Sequence, residues 1–136
     1  MRLAAAARDS LLRLAAASYP VEGCGVLLGH LSDPPLVLDA IAGRNLVTDR
    51  ARDRYELDPL DILAAERRAR AEGLDVVGFW HTHPDHPARP SRFDTERAWP
   101  DYLYAICSTS VDGVADVGWW RLGGDGEFAA VAVEEG

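Results

Sequence analysis

Residues 76–84 read Val-Val-Gly-Phe-Trp-His-Thr-His-Pro, and this stretch decides the expected fold. Residues 76–80 form a continuous apolar run, which is typical of a strand buried on both faces. Successive side chains of a strand point to opposite faces, so His81 and His83 are expected to leave on the same side. The stretch therefore predicts a central strand that ends in two imidazoles able to reach one metal ion.

The segments around this strand alternate irregularly between strand-like and helix-like patterns. Further strands are predicted at 25–30, 36–42, 102–107, 114–121 and 128–133, and helices at 3–18, 58–71 and 91–99. The turn-forming residues 32–35, Ser-Asp-Pro-Pro, join the first two strands, which are expected to pair as a hairpin. The predicted class is α/β, with α+β possible: a single domain over residues 1–136, built on a mixed β-sheet with helices packed on it.

The composition is that of an ordinary globular protein. The 136 residues are 48% hydrophobic and 26% charged, and a chain of this length supports one core. The net charge of −8 argues against a nucleic-acid binder, because phosphate backbones select for clustered positive charge. Arg8, Asp9 and Arg13 interrupt the apolar N-terminal stretch, which fits neither a signal peptide nor a membrane span. A cytoplasmic protein is therefore expected, with no nucleic-acid partner and no membrane contact.

A catalytic zinc ion needs three protein ligands and one open position, so the two imidazoles require a third partner. Asp94 is the best candidate, because it falls in the first turn of the helix predicted after the loop at residues 84–90. Asp85 and His86 compete for the role, but a loop with three prolines is usually exposed, so both are left out. Ser91-x-x-Asp94 is also a capping-box pattern, and the two interpretations are compatible.

A water molecule activated at a metal also needs a base, and Glu22 is the candidate from the other half of the chain. It lies between Pro20 and an apolar strand, where a carboxylate is unusual. The alternative is that Glu22 caps the start of that strand at the surface. Spacing alone does not choose between these two interpretations.

Taken together, these residues resemble the signature of the JAMM (MPN-plus) metalloproteases, which combine a distant glutamate, His-x-His-Pro and Ser-x-x-Asp. The matching residues are Glu22, His-Thr-His-Pro at 81–84, and Ser-Arg-Phe-Asp at 91–94. Residues 19–29, 55–59 and 77–81 are also similar to the small bacterial members. The resemblance covers roughly residues 3–121, and no position of the signature is missing.

The resemblance implies a role for each residue of the signature. His81, His83 and Asp94 would bind one Zn²⁺ ion. Glu22 would take a proton from the attacking water and pass it to the leaving amine, and Ser91 would donate a hydrogen bond to the oxyanion. The resemblance also implies the cytidine-deaminase-like JAMM/MPN fold.

The same resemblance implies a substrate class. Small bacterial members are similar to peptidases that act after the C-terminal Gly-Gly of ubiquitin-like sulfur carrier proteins, and the compact chain favours this substrate. Two alternatives are a non-catalytic MPN-type scaffold or protein-binding module, and a zinc hydrolase of another substrate class. The choice between a peptide and an isopeptide bond stays open, as does the oligomeric state.

Arginines are concentrated between the predicted hairpin and the second helix. Arg50, Arg52 and Arg54 alternate, so they would share one face of an extended segment. Together with Arg44 they would then contact carboxylates of the carrier. The alternative is a solvated loop that contacts no substrate.

Overall fold

Eight strands and three helices make up the computed structural model of the chain, which describes all of residues 1–136. The strands are β1 (Arg2–Leu3), β2 (Cys24–His30), β3 (Leu36–Gly43), β4 (Asp75–Pro84), β5 (Leu103–Ser110), β6 (Gly113–Leu122), β7 (Phe128–Ala130) and β8 (Glu134–Glu135). The helices are α1 (Ala5–Ser18), α2 (Pro59–Glu72) and α3 (Arg92–Arg97). This confirms the predicted mixed sheet with helices packed on it, and the class is α+β.

Strand β4 lies in the middle of the sheet, whose strand order is β7-β6-β5-β4-β2-β3-β1-β8. It pairs antiparallel with β2 and parallel with β5, which explains why its sequence is apolar on both faces. The chain crosses from β4 to β5 through α3, since a parallel pair needs a long connection. β2 and β3 form the predicted antiparallel hairpin.

The sheet curls strongly, because its two outermost strands are close in the chain. Only residues 131–133 separate β7 from β8, and a chain of that length spans at most about 15 Å. A flat sheet of eight strands would place its edges roughly 34 Å apart. The strand predicted over residues 128–133 is therefore wrong beyond Ala130: the chain leaves β6 and adds to β1, a strand that was not predicted.

The curled sheet packs α1 on one face and α2 on the other. Ala7, Leu11 and Ala15 of α1 are fully buried in one cluster, and Ala65 and Ala69 of α2 belong to a second cluster. The two clusters lie on opposite sides of β4, and this sidedness positions the imidazoles.

A β-bulge in β4 sets which residues face which helix. Leu27 pairs with Gly78 but Leu28 pairs with Val76, so Val77 is the extra residue. After the bulge the side chains alternate again. Trp80 packs in the cluster of α1, while Phe79 packs in the cluster of α2.

Helix α2 begins and ends as predicted. The Asp58 carboxylate accepts from the Leu60 N–H at 2.9 Å, and Pro59 occupies the first turn. Gly73 ends the helix with φ 70°, a left-handed conformation that glycine adopts without steric cost. None of the three helices is long and apolar enough to cross a membrane.

Candidate metal centre

Strand β4 carries both histidines, because it continues through Pro84 instead of ending at Trp80. The side-chain alternation of a strand therefore applies directly to them. Their Nε2 atoms lie 3.2 Å apart, and the His81 ring is only 1% exposed. The predicted convergence of the two imidazoles is confirmed.

Asp94 contacts both imidazoles from α3. Its Oδ1 lies 3.1 Å from Nε2 of His81, and its Oδ2 lies 3.0 Å from Nε2 of His83. A capping box holds the carboxylate there: the Ser91 N–H donates to Asp94 Oδ2 at 2.8 Å, and the Asp94 N–H donates to Ser91 Oγ at 3.1 Å. The same four-residue pattern thus starts the helix and places the carboxylate.

The spacing of the four atoms in these contacts, the two Nε2 atoms and both carboxylate oxygens of Asp94, fits a zinc ion. Zinc–ligand bonds of about 2.0–2.1 Å at tetrahedral angles put neighbouring ligand atoms about 3.3 Å apart. The observed separations of 3.0–3.2 Å are close to that value. Two imidazoles and one carboxylate are also a donor set that zinc accepts.

The tautomer of His83 also favours a cation between His83 and Asp94. The Pro87 carbonyl lies 2.9 Å from Nδ1 of His83, and because a carbonyl only accepts, Nδ1 carries the proton. In the neutral ring, Nε2 then turns a lone pair toward the Asp94 carboxylate, which is also an acceptor. Two acceptors this close repel each other unless a proton or a metal cation lies between them.

Charge and burial act on the pKa values of this cluster in opposite directions. Burial would raise the pKa of Asp94, but the hydrogen bonds with His81 and His83 outweigh it and lower the value. Burial lowers the pKa of His81, which favours the neutral, metal-binding imidazole. Burial also disfavours the charged form of His83, but contact with Asp94 raises its pKa overall.

Glu22 reaches the cluster through the register of β2 against β4. Cys24 pairs with His81, and the Gly23 N–H donates to Thr82 Oγ1 at 2.9 Å, so the same register brings Glu22 toward His83. A carboxylate oxygen of Glu22 and one nitrogen from each imidazole lie within 4.8 Å of one another. Glu22 is 5% exposed, so the interpretation as a surface strand cap is wrong.

Two carboxylates could therefore serve the metal, and their environments differ. Burial raises the pKa of Glu22 to about 7, although the nearby His83 opposes this. The pKa of Asp94, in contrast, is lowered by direct contacts with both rings. Asp94 thus stays ionised, as a ligand must, whereas Glu22 can exchange a proton near neutral pH.

Two residues that the sequence did not single out support the cluster. The Tyr55 ring stacks on His81, with centroids 4.5 Å apart and planes 21° apart. Asn45 donates to the carbonyls of Glu22 and Arg54, each at 3.1 Å, and its Oδ1 accepts two further backbone N–H groups at 3.0 Å. An isolated asparagine carries no local pattern that would have predicted this role.

Asp85 and His86 lie outside the cluster, as expected. Asp85 accepts from the Tyr19 hydroxyl at 2.9 Å and lies 3.6 Å from the Arg52 guanidinium. His86 is exposed, and only its backbone is hydrogen-bonded: its N–H donates to the His83 carbonyl at 3.3 Å, and its carbonyl accepts from Ser108 Oγ at 2.7 Å.

The expectation that the alternating arginines share one face is wrong. Residues 51–53 form a turn, so the segment is not extended. Each arginine has a different neighbour: Arg50 pairs with Asp53, Arg52 with Asp85, Arg44 with Asp58 and Asp61, and Arg54 lies over the Phe93 ring. The charges of the exposed side chains of Arg44 and Arg50 are therefore paired with carboxylates of the same chain.

A cavity of about 360 Å³ opens beside the cluster. Two segments form its walls. We call residues 85–90 the proline loop and residues 48–54 the arginine loop. The lining residues are Glu22, Arg52, Asp53, His83, Pro84, His86, Pro87, Arg89, Ser91, Phe93 and Asp94. All five residues of the signature thus lie in or directly beneath this cavity, since buried His81 contacts Asp94.

The fold and this cluster define the class of protein. The family model described as prokaryotic homologs of the JAB domain matches residues 4–122, so the chain belongs to this family. A JAB1/MPN domain protein from Archaeoglobus fulgidus shares the fold, with a TM-score of 0.61 at 17% identity over 99% of this chain and 95% of that one. A solution structure from Desulfitobacterium hafniense has a TM-score of 0.85 at 25% identity, covering 99% and 92% of the two chains.

Two curated relatives carry functional names. The Desampylase of Haloferax volcanii is 41% identical over 139 residues, which cover 98% of this chain and 96% of that protein. The Probable TtuB-protein conjugate cleaving protease of Thermus thermophilus is 40% identical over 60 residues, covering 44% of this chain and 39% of that protein.

Proposed function

We propose that the chain is a zinc-dependent peptidase or isopeptidase that hydrolyses the bond after the C-terminal Gly-Gly of a ubiquitin-like protein. The observation that carries the proposal is the contact of Asp94 with both imidazoles, beside a buried Glu22. The name of the Thermus relative, which refers to cleavage of protein conjugates, supports the same reaction class.

In this proposal, His81, His83 and Asp94 hold the zinc ion. Bound there, zinc would polarise the scissile carbonyl and make a water molecule more acidic. The Pro87 carbonyl orients the His83 ring by accepting from Nδ1, which keeps Nε2 free as a ligand atom. Stacking on the Tyr55 ring restrains the orientation of the His81 ring.

Glu22 is the proposed general base and acid. Its carboxylate takes a proton from the attacking water and returns it to the leaving amine. Burial raises the pKa of this carboxyl above its usual range in the metal-free chain, which makes Glu22 a stronger base than an exposed glutamate. Its position is held from two sides, by the Ala51 carbonyl on its N–H and by Asn45 on its own carbonyl.

Ser91 is the proposed oxyanion donor. Its Oγ accepts the Asp94 N–H, which leaves the hydroxyl proton free to donate toward the cavity that the residue lines. As the carbonyl oxygen of the substrate gains negative charge, this donor becomes more valuable than it was in the ground state.

The substrate is proposed to be a ubiquitin-like sulfur carrier or a conjugate formed by such a protein. The name of the Thermus relative, which refers to TtuB-protein conjugates, supports a protein conjugate as the substrate. Residues 1–136 would then act as one catalytic domain in the cytoplasm.

The first test measures metal and rate together. Purified chain is analysed for zinc and then assayed on a ubiquitin-fold protein joined through Gly-Gly to the Nε of a lysine. We expect about one zinc per chain, lost in His81→Ala. Glu22→Gln should keep the zinc but lose roughly 10²–10⁴ in rate.

The matched control is Glu66→Gln, which changes an exposed glutamate of α2 in the same way and should retain full activity. Cleavage at an undiminished rate by Glu22→Gln would remove Glu22 as the base. If the purified wild-type chain contains no zinc and cleaves nothing, the scaffold alternative would be favoured.

A further inference from the structure

Two guanidinium groups, those of Arg52 and Arg89, line the cavity beside the metal centre. The cavity also contains the carboxylates of Glu22, Asp53 and Asp94. None of them is paired with either arginine: Asp94 contacts the two imidazoles, and Asp53 pairs with Arg50 outside the cavity lining. Neither guanidinium group is therefore neutralised by a carboxylate of the cavity lining.

Arg89 has no ion pair and no side-chain hydrogen bond in the protein, whereas its neighbour Arg92 pairs with Glu96 at 3.1 Å. Arg52 has one partner, Asp85, at the long distance of 3.6 Å and with both side chains largely exposed. An unpaired arginine on an open surface is ordinary, since most arginines are solvated. Arg89 is exposed, but it lines the reaction cavity, where a substrate segment has to pass it.

The backbone around Arg89 is held firmly. The Pro87 carbonyl accepts from Nδ1 of His83 at 2.9 Å, and the Ala88 carbonyl accepts from Nε1 of Trp120 at 3.2 Å. Ala88 itself is 5% exposed, and Pro90 restricts the backbone of Arg89, the residue before it. Because the Cα position is fixed, a ligand of the guanidinium has to order only the side chain itself.

The size of the cavity leaves room for such a ligand. Its volume of about 360 Å³ falls in the range of small-molecule pockets, so it admits a substrate segment beyond the scissile bond. Pro84, Pro87 and Phe93 provide apolar wall, and the guanidinium groups of Arg52 and Arg89 provide the positive charge. A planar guanidinium binds a carboxylate in a bidentate manner better than it binds any neutral group.

We propose that Arg89, assisted by Arg52, forms a subsite for a carboxylate group of the substrate next to the scissile bond. Two sources supply this chemistry. One is the α-carboxylate of a residue released from a peptide bond after Gly-Gly, and the other is an acidic side chain beside a lysine that carries an isopeptide bond. The inference rests on the proposed function. It adds a preference for substrates with a carboxylate beside the scissile bond, which the metal centre alone does not create.

The test measures binding first, in zinc-loaded Glu22→Gln chain that cleaves slowly. One pair of peptides ends in Gly-Gly-Ala, as the free acid and as the amide. A second pair carries Gly-Gly on the Nε of a lysine followed by Asp or by Asn, each with an amidated C-terminus. We expect one acid to bind about tenfold more tightly than its neutral counterpart, and Arg89→Ala to abolish that difference.

The variant Arg89→Lys keeps the charge but not the bidentate geometry, so it should retain only part of the preference. Arg13→Ala is the matched control, an exposed α1 arginine without an ion pair, and it should retain all of it. Preference within the first pair identifies the α-carboxylate as the source, and preference within the second identifies the side chain.

Equal affinity within both pairs, or no binding of any peptide, overturns the subsite. The proposed function is judged separately, by cleavage of the same peptides with wild-type chain. A preference for the acid without cleavage would contradict the proposed peptidase activity and support the carboxylate subsite. Cleavage without a preference would support the peptidase activity and contradict the subsite.

Discussion

The two walls of the cavity are built in different ways. In the proline loop, three consecutive carbonyls accept side-chain donors from the strands beneath: His86 from Ser108, Pro87 from His83, and Ala88 from Trp120. In the arginine loop, the charged side chains form ion pairs only with exposed partners. Exposed ion pairs contribute little, so this wall depends mostly on a few backbone contacts.

The two walls hold different parts of the proposed catalytic site. The metal ligands and Ser91 belong to, or border, the firmly held wall, as distances of about 2 Å to a metal require. Glu22 is tied to the other wall, through the Ala51 carbonyl and Asn45. We infer that the geometry of the ligands is rigid, while the position of the base depends on how well the arginine loop is held.

Among the changes that compare the two walls, the largest expected effect comes from the firm wall. Ser91→Ala should lower kcat by roughly 10²–10³, because it removes the oxyanion donor, and should cost about 1 kcal/mol of stability through the lost helix cap. Steady-state kinetics and thermal unfolding measure the two effects.

Ser91→Gly separates the hydroxyl from the cap, since glycine at an N-cap costs only a few tenths of a kcal/mol. It should lose the rate while keeping most of the stability. A Ser91→Gly chain with normal kcat would show that the hydroxyl serves only the helix.

A smaller effect, on stability, is expected from the titration of Glu22, whose carboxylate lies between the walls. It concerns the metal-free chain. The pKa of Glu22 rises from 4.5 in the unfolded chain to about 7 in the folded one, so folding favours the protonated form. Its contribution to stability is complete below pH 4.5 and is lost as the pH rises toward 7 and beyond. The loss amounts to at most about 3 kcal/mol.

Denaturant unfolding of chelator-treated protein at pH 5 and at pH 8 checks this. Wild type should lose stability over this interval relative to Glu22→Gln, which cannot titrate at this position. Parallel pH profiles for the two chains would contradict the assigned burial of the carboxyl group.

The smallest expected effect concerns the softer wall. Asn45→Ala removes four hydrogen bonds that connect Glu22, Arg54, Val47 and Glu56. We expect about 2 kcal/mol of destabilisation. Hydrogen exchange should become faster in residues 46–56, and remain unchanged in residues 85–97.

Asn45→Asp keeps the two acceptor contacts but turns a carboxylate oxygen toward the carbonyls of Glu22 and Arg54, which also only accept, so it should destabilise the chain at least as much as Asn45→Ala. Equal acceleration of exchange in both segments would mean that the walls are not independent.

Much of the fold and of the cluster could be predicted because the patterns are local. The apolar run before His81 predicted a central strand, and Asp58, Pro59 and Gly73 predicted both ends of α2. The last strand was wrong because residues 128–130 and 134–135 pair with strands at opposite ends of the sheet. Strand propensity does not say which edge a segment joins.

The sequence by itself determined the chemistry of the site. Alternation in a strand brings His81 and His83 together, and the capping box over Ser91 and Asp94 sets the carboxylate, since both depend on residues only two or three apart. Only the tertiary structure decided the partners of the arginines, the burial of Glu22 and the stacking of Tyr55. These depend on the register of β2 against β4 and on the turn in the arginine loop, which bring together residues distant in the chain.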